Sequence, residues 1–181
     1  MMINTTDVIH ETFMKMLAEE DSKLMVQNIA ERTGISRNTF YYYYESIEPL
    51  AGKVISIWLE GDFPPAQSLY ECVATAAERC LAHRTEIMRL YRSPYQHVLL
   101  DKLNVLRLER LTKFMHTRLE HYPGEISEEI ELNNHILRGF TVHWLEKNMS
   151  YDLNHFISRL DKDFNRLYPR DPSQKARYRV Q

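Results

Sequence analysis

Between Ser36 and Tyr44 the chain sets Arg37, Asn38, Thr39, Tyr41, Tyr42 and Tyr43 side by side. A guanidinium and a carboxamide make paired hydrogen bonds to guanine and adenine edges, and a threonine methyl touches that of thymine. Tyrosine hydroxyls and a helix N-terminus hold phosphate. This is the chemistry of nucleic-acid recognition rather than of bond-making. Elsewhere the reactive residue types are scattered. His116 and His121 are five apart, and His135 and His143 eight apart; neither is the one-turn spacing that puts two metal ligands on one helix face. Cys72 and Cys80 are separated by roughly 12 Å of helical rise, too far for a disulfide, and read as buried thiols in a reducing compartment. There is no nucleophile motif, Gly-rich phosphate loop or paired-Cys site. No metal or cofactor is implied, and a small all-α enzyme or metal-binding protein is a distant alternative.

The elements that must position the Ser36–Tyr44 residues are helices. Apolar residues recur at helical spacing along nearly the whole chain, and no segment keeps the alternation of a half-buried strand. A first helix is expected from an N-cap at Thr6, burying Ile9, Phe13, Met16 and Leu17, followed by a charged link from Glu19 to Lys23. A second, Val26 to Arg32, stops at Gly34, the residue best able to turn the chain through the left-handed region. Ser36 caps a third through Tyr44, with Phe40 inward. Two short helices joined at a glycine are the geometry of a helix-turn-helix, whose second helix enters the major groove. Periodicity alone equally allows a core helix pair whose tyrosines fill space.

Ser46 is expected to cap a fourth helix carrying Leu50, Val54, Ile57 and Trp58 on one face, and Gly61-Asp62-Phe63-Pro64-Pro65 reads as a loop. Leu69, Val73, Ala76 and Cys80 mark a fifth helix, and Arg84 to Tyr91 a sixth. Ser93-Pro94 opens a long seventh to about His121, striped by Leu108, Leu111, Met115 and Leu119 and stopped at Pro123-Gly124. Ser127, with Glu128 and Glu129 in the first turn, starts an eighth through Ile130, Leu137, Phe140 and Trp144. The last follows Leu153, Phe156, Ile157, Leu160, Phe164 and Leu167. This gives an all-α chain with domains at 1–45 and 46–168 and a basic tail at 169–181 bearing Lys175, Arg177 and Arg179.

The bulk properties agree with a soluble helical protein. Of 181 residues, 44% are hydrophobic and 27% charged, with only five Gly and seven Pro, little material for turn-rich β architecture. No run reaches the roughly 20 apolar residues of a membrane span, and the densest, Val54 to Leu59, is broken by Ser56. No secretory leader is evident, so the expected location is cytoplasmic. Net charge is −2. Residues 1–50 hold four basic groups, Lys15, Lys23, Arg32 and Arg37, against eight acidic ones, a local charge of −4. Any basic footprint for nucleic acid is therefore local.

With Ile29-Ala30, Gly34-Ile35-Ser36, Phe40-Tyr41 and Tyr44 in these positions, residues 6–58 resemble the DNA-binding region of the TetR family. Gly139-Phe140, Trp144-Leu145 and the amphipathic last helix are more loosely similar to the family's C-terminal half. The resemblance implies a DNA-binding transcriptional regulator, a repressor, that holds a palindromic double-stranded operator as a homodimer and is released or modulated by a small-molecule effector. Ser36, Arg37, Asn38 and Thr39 would meet base edges or phosphate, Tyr41, Tyr42 and Tyr43 would clamp phosphate and sugar, and Tyr44 would pack. Leu137, Phe140, Trp144, Phe156, Leu160 and Phe164 would divide between the core and the dimer interface. Trp58, Met88, Tyr91, Tyr95, His97, Arg107, His143 and Trp144 would supply the walls and polar handles of an effector pocket. The chain departs from the pattern at Met25, where the family carries a capping Ser or Thr, and at Ile47, where it carries a phosphate-binding Lys. An acidic N-terminal region without that lysine also suits a TetR-like coregulator that acts through protein partners.

Overall fold

The computed structural model describes residues 4–120 and 124–169, and every regular element among them is an α-helix. In order these are α1 (Thr5–Ala18), α2 (Val26–Thr33), α3 (Arg37–Tyr43), α4 (Ile47–Trp58), α5 (Glu71–Ala82), α6 (Arg84–Tyr91), α7 (Gln96–Arg118), α8 (Ile126–Glu146) and α9 (Leu153–Leu167). No helix among the described residues is long and apolar enough to cross a membrane. The expected end of α7 at His121, the stop at Pro123 and the basic tail from residue 170 onward lie outside the described residues.

Several helix starts differ from the sequence expectation, at α1 because another group supplies the cap. Asn4, not Thr6, begins α1: its carboxamide oxygen accepts from the Thr6 N–H at 3.2 Å and from the Thr6 hydroxyl at 3.1 Å. Ser46 occupies the N-cap position of α4 but makes no cap, because its hydroxyl donates to the Glu48 carboxylate instead. That bond, with Glu48's own backbone N–H, holds the carboxyl below the usual range. Ser93 caps a turn, accepting from the Tyr95 N–H at 3.1 Å, and α7 begins only at Gln96. Leu69 precedes α5 rather than lying in it. Gly34 takes the left-handed conformation at φ 72°, and its N–H returns to the Ala30 carbonyl, closing α2.

The described residues form two compact units, neither continuous in sequence, one within residues 1–61 and 79–103 and one within residues 62–78 and 104–181. The division differs from the sequence boundary at 45/46, and the first unit shows why. In it α1 packs against α2, α4 and α6, and α2 packs against α3. Ile9, Phe13, Met16 and Leu17 of α1 are buried, as are Ile29, Phe40, Leu50, Val54, Ile87 and Leu90. The link after α1 is held from α6: Arg89 donates to the carbonyls of Glu20 and, at 2.6 Å, Ser22. Tyr95 donates to the Leu24 carbonyl at 3.2 Å. Residues 84–95 thus belong with the N-terminal helices because they satisfy backbone that those helices leave unpaired.

In the second unit α8 packs against α9. The carboxylate of Asp161, on α9, accepts from the backbone N–H groups of Leu69 at 2.6 Å and Tyr70 at 3.2 Å, just ahead of α5. Burial pushes that carboxyl up, and the two N–H donors oppose the shift. The inward face of α7 also corrects the expected stripe. Leu111, Met115 and Leu119 are buried, but Leu108 is exposed, while Arg107 and Arg110 are buried. Counting back one turn of four from Leu111 reaches Arg107, so the stripe runs through a cation rather than a leucine. Arg107 donates to Asn134 Oδ1 at 3.0 Å and Asn104 Oδ1 at 2.6 Å. Burial, reinforced by Arg138, lowers its pKa to about 10.

Met25 stands at the N-cap of α2 with an extended backbone (φ −130°, ψ 147°), an exposed side chain and no side-chain cap. Ser22 does not substitute for it; its hydroxyl donates to Glu19 at 2.6 Å and accepts from Arg32 at 3.0 Å. Met25→Ser is therefore expected to stabilise the protein by about 1 kcal/mol, seen as a higher midpoint in urea melts with an unchanged slope. An unaltered midpoint would mean that the first turn of α2 gains nothing from a side-chain acceptor.

Candidate functional site

Ser36 starts α3 by accepting from the Thr39 N–H at 3.0 Å, and the two hydroxyls lie 2.8 Å apart. That geometry fixes which way the seven-residue helix faces. Phe40 is fully buried, and Tyr44 packs beside it with ring centroids 6.0 Å apart. Everything else on α3 turns outward. Arg37 and Asn38 are exposed, and Tyr41, Tyr42 and Tyr43 are 52%, 82% and 39% exposed. Tyr42 and Tyr43 meet edge to face at 5.0 Å. None of the three hydroxyls has a hydrogen-bond partner among the described residues, nor do the side chains of Arg37 and Asn38.

Six of the seven residues expected at a DNA surface, Arg37, Asn38, Thr39, Tyr41, Tyr42 and Tyr43, are thus brought together on one short helix. The seventh, Ser36, is adjacent. Ser36 and Thr39 already spend hydroxyl capacity on each other and on the cap, whereas the other five offer all of theirs. The tyrosines do not fill space, which disposes of the alternative of a buried aromatic pair. No Asp or Glu falls between Gly34 and Tyr44, so the local acidity of the first 50 residues stays off this stretch.

α3 is held in place from behind by a contact the sequence did not reveal. His10, buried on α1, shares a short hydrogen bond with the Tyr44 hydroxyl, and their rings are tilted at 5.9 Å. A neutral imidazole accepts that O–H at Nε2. Burial lowers the His10 pKa from 6.5, opposed by Asp7 and assisted by Lys53; burial also raises the Tyr44 pKa. Both groups are therefore kept uncharged. Ile47 is a further finding: at 4% exposure it is part of the buried face of α4. A lysine there would start from the interior, so Ile47→Lys is not a simple restoration of a phosphate contact. The exposed cation on α4 is Lys53.

The residues expected around an effector are divided between the two units. Trp58, Met88, Tyr91, Tyr95 and His97 belong to the first unit, and Arg107, His143 and Trp144 to the second. Most have structural employment. Trp58 stacks on His83 at 5.0 Å, Met88 is buried, and Tyr95 pins the link after α1. Arg107 is held by two asparagines. His143 lies 2.9 Å from the Tyr151 hydroxyl, and the Trp144 indole donates to the Tyr151 carbonyl at 2.9 Å. The six residues assigned to the dimer interface divide: Leu137, Trp144 and Phe164 are buried within the chain, whereas Phe156 is 41% exposed and Phe140 and Leu160 are half-buried. The first three complete the core of α8 and α9 and are not surface contacts. Leu132 and Leu167 are exposed on the same two helices. In the sequence Leu167 reads only as part of the apolar stripe of the last helix and Leu132 carries no distinguishing signal.

Burial raises the pKa of Cys72 and of Cys80 to about 12, which keeps both thiols protonated and unreactive. No group of three or more His, Cys, Asp or Glu among the described residues could hold a metal ion; His121 lies outside them. Comparison of the chain with protein-family models, with curated proteins and with solved structures finds no match.

Because the folded state lowers the His10 pKa, its unfolded form binds the proton more tightly, and acid favours unfolding. This contribution is complete above 6.5 and is lost as pH falls from there through the lowered folded-state value. The thermal midpoint should drop as pH goes from about 7.5 to about 5.5, and His10→Gln should flatten that dependence. An equal drop in both proteins would assign the acid sensitivity to other groups.

Proposed function

We propose that the chain is a DNA-binding transcriptional regulator of the TetR kind, a repressor whose α2, Gly34 turn and α3 act as a helix-turn-helix. In this reading α3 lies in the major groove of a palindromic operator. The observation that carries it is the outward surface of α3: five side chains of base- and phosphate-binding type, exposed and without hydrogen-bond partners among the described residues. A protein has little use for an 82% exposed tyrosine flanked by two more unless something covers them. Arg37 and Asn38 supply the paired donors and acceptors for base edges, and the tyrosine hydroxyls supply phosphate contacts. A two-fold operator requires a two-fold protein, and the apolar residues left over on α8 and α9, Phe140, Phe156, Leu160, Leu132 and Leu167, are suited to pair with a second copy. Small-molecule control of DNA affinity completes the reading.

Three observations favour a second reading. The first 50 residues are acidic, Ile47 is buried where the family pattern has a phosphate-binding lysine, and Arg37 is the lone cation on α3. The same tyrosine surface would then dock a protein, making the chain a coregulator.

An electrophoretic shift with the intergenic DNA beside its own gene separates the two. Wild type is expected to bind, and Arg37→Ala and Tyr42→Ala to weaken binding by about tenfold or more, with helicity and melting midpoint unchanged because both residues are exposed. With one arginine per α3, the slope of log affinity against log salt should be shallow, since each neutralised phosphate contributes about −0.9. If no sequence from a random DNA pool is retained by wild type, the coregulator reading stands.

Phe156→Glu and Leu160→Glu should shift the sedimenting mass from dimer toward monomer at micromolar concentration while the melting transition persists. A monomeric wild type would remove the interface, and palindromic recognition with it.

A further inference from the structure

The second unit contains a groove of about 690 Å³, within the size range of small-molecule sites, roughly 300–1,000 Å³. Among the described residues it is lined by the loop from Phe63 to Gln67, one face of α7 with Leu119 and Glu120 just past its end, and Tyr168 with Pro169 beyond α9; Glu109 and Glu120 are its carboxylates, against Arg110, Lys113 and Arg118. None of the residues that the sequence suggested for an effector lines it. Its floor carries an unusual group. Arg110 is 8% exposed and donates to three backbone carbonyls: Glu71 at 2.8 Å, Pro64 at 3.2 Å and Cys72 at 3.3 Å. These bonds use Nε and Nη2. Nη1 has no partner among the described residues, and no carboxylate there is within salt-bridge distance of the guanidinium.

The guanidinium thus rests on three neutral carbonyls and the Phe63 ring and, among the described residues, forms no ion pair; its remaining donor is open to an anion that enters the groove. Lys113 lies one helical step further along the same lining face of α7. Its pairing with Glu109 at 2.7 Å is solvent-exposed on both sides, and such a pair holds its lysine only weakly. Around these cations the walls are aromatic: Phe63, whose ring lies 5.0 Å from the Arg110 guanidinium carbon, with Phe114 and Tyr168. The geometry points to a binding site for an organic anion, a carboxylate or sulfonate carried on an aromatic or aliphatic body. The anion meets Arg110 Nη1 and Lys113, and the body lies against Phe63, Phe114 and Tyr168. This ligand gives chemical content to the small-molecule control in the reading above, but the groove binds it whether or not α3 meets DNA.

The test uses the full chain and the fluorescent sulfonate 8-anilinonaphthalene-1-sulfonate, with uncharged N-phenyl-1-naphthylamine as its neutral counterpart. The sulfonate should bind saturably, at one molecule per chain, and at least about tenfold more tightly than the neutral compound, since a charge-assisted contact to a buried cation is worth that much or more. Because Arg110 also clasps the chain, the decisive variants are at exposed positions: Thr117→Trp, which fills the groove, and Lys113→Glu, which reverses the charge. Each should weaken the sulfonate by about tenfold with the melting transition retained. Hydrogen exchange on wild type should show sulfonate-dependent protection in residues 63–67 and 106–118. Equal binding of the charged and neutral compounds, indifference to Thr117→Trp, or protection confined to α8 and α9 would overturn the proposal. DNA binding is scored separately, so failure of the operator shift and failure of the groove are distinct results.

Discussion

A backbone carbonyl that leaves a helix loses its partner, and in this chain the replacement is repeatedly an arginine from another helix. Arg79 donates to the Leu59 carbonyl past the end of α4, and Arg89 to Glu20 and Ser22 past the end of α1. Arg118 holds Tyr168 past the end of α9 at 2.5 Å, and Arg110 holds the Pro64 carbonyl in the loop ahead of α5 while adding a second donor to the carbonyls of Glu71 and Cys72 in the first turn of α5. The guanidinium fork suits this work because its donors are fixed in one plane and stay charged. Water would satisfy exposed carbonyls as well, but only by leaving the links free to move. The arginines exchange that freedom for fixed helix ends.

Both candidate surfaces depend on it. The link from residue 19 to residue 25 sets where α2 begins, and α2, through the Gly34 turn, sets where α3 presents its tyrosines. Arg89 and Tyr95 hold that link, and Tyr44 is fastened from behind by His10, so the outward face of α3 rests on an ordered base. A surface whose side chains are preorganised loses less entropy on meeting a partner. In the second unit the same device does two jobs, since Arg110 both clasps the chain and leaves part of its charge facing a groove.

The sequence made the helices legible almost throughout, because apolar residues at steps of three and four leave little choice of fold. It also placed the Gly34 turn, the Ser36 cap and the outward identity of Arg37, Asn38 and the tyrosines, where inward Phe40 defines the opposite face. What it obscured were contacts between residues far apart in the chain. An arginine is ordinarily a surface residue, so nothing marked Arg110 as inward, Arg107 as held by two asparagines, or Leu108 as outward. Nothing in the sequence pairs His10 with Tyr44, 34 positions away. The division into units was hidden for the same reason: residues 79–103 join the N-terminal helices through Arg89 and Tyr95, whose partners lie about seventy positions away. The spread of the expected effector residues over both units follows directly.

The carboxylate of Asp161 caps the backbone at Leu69 and Tyr70 from 92 and 91 residues downstream. Synthesis on the ribosome proceeds at about 5–20 residues per second, so the segment ahead of α5 emerges several seconds before its cap exists. Residues 62–78 must wait, bonded to water, for the rest of their unit. The first unit suffers no such delay, as all of its pieces have been made by residue 103. A nascent chain would carry a formed α3 surface while the organic-anion groove was still unbuilt, and premature termination within α8 would release a polypeptide with the one and without the other.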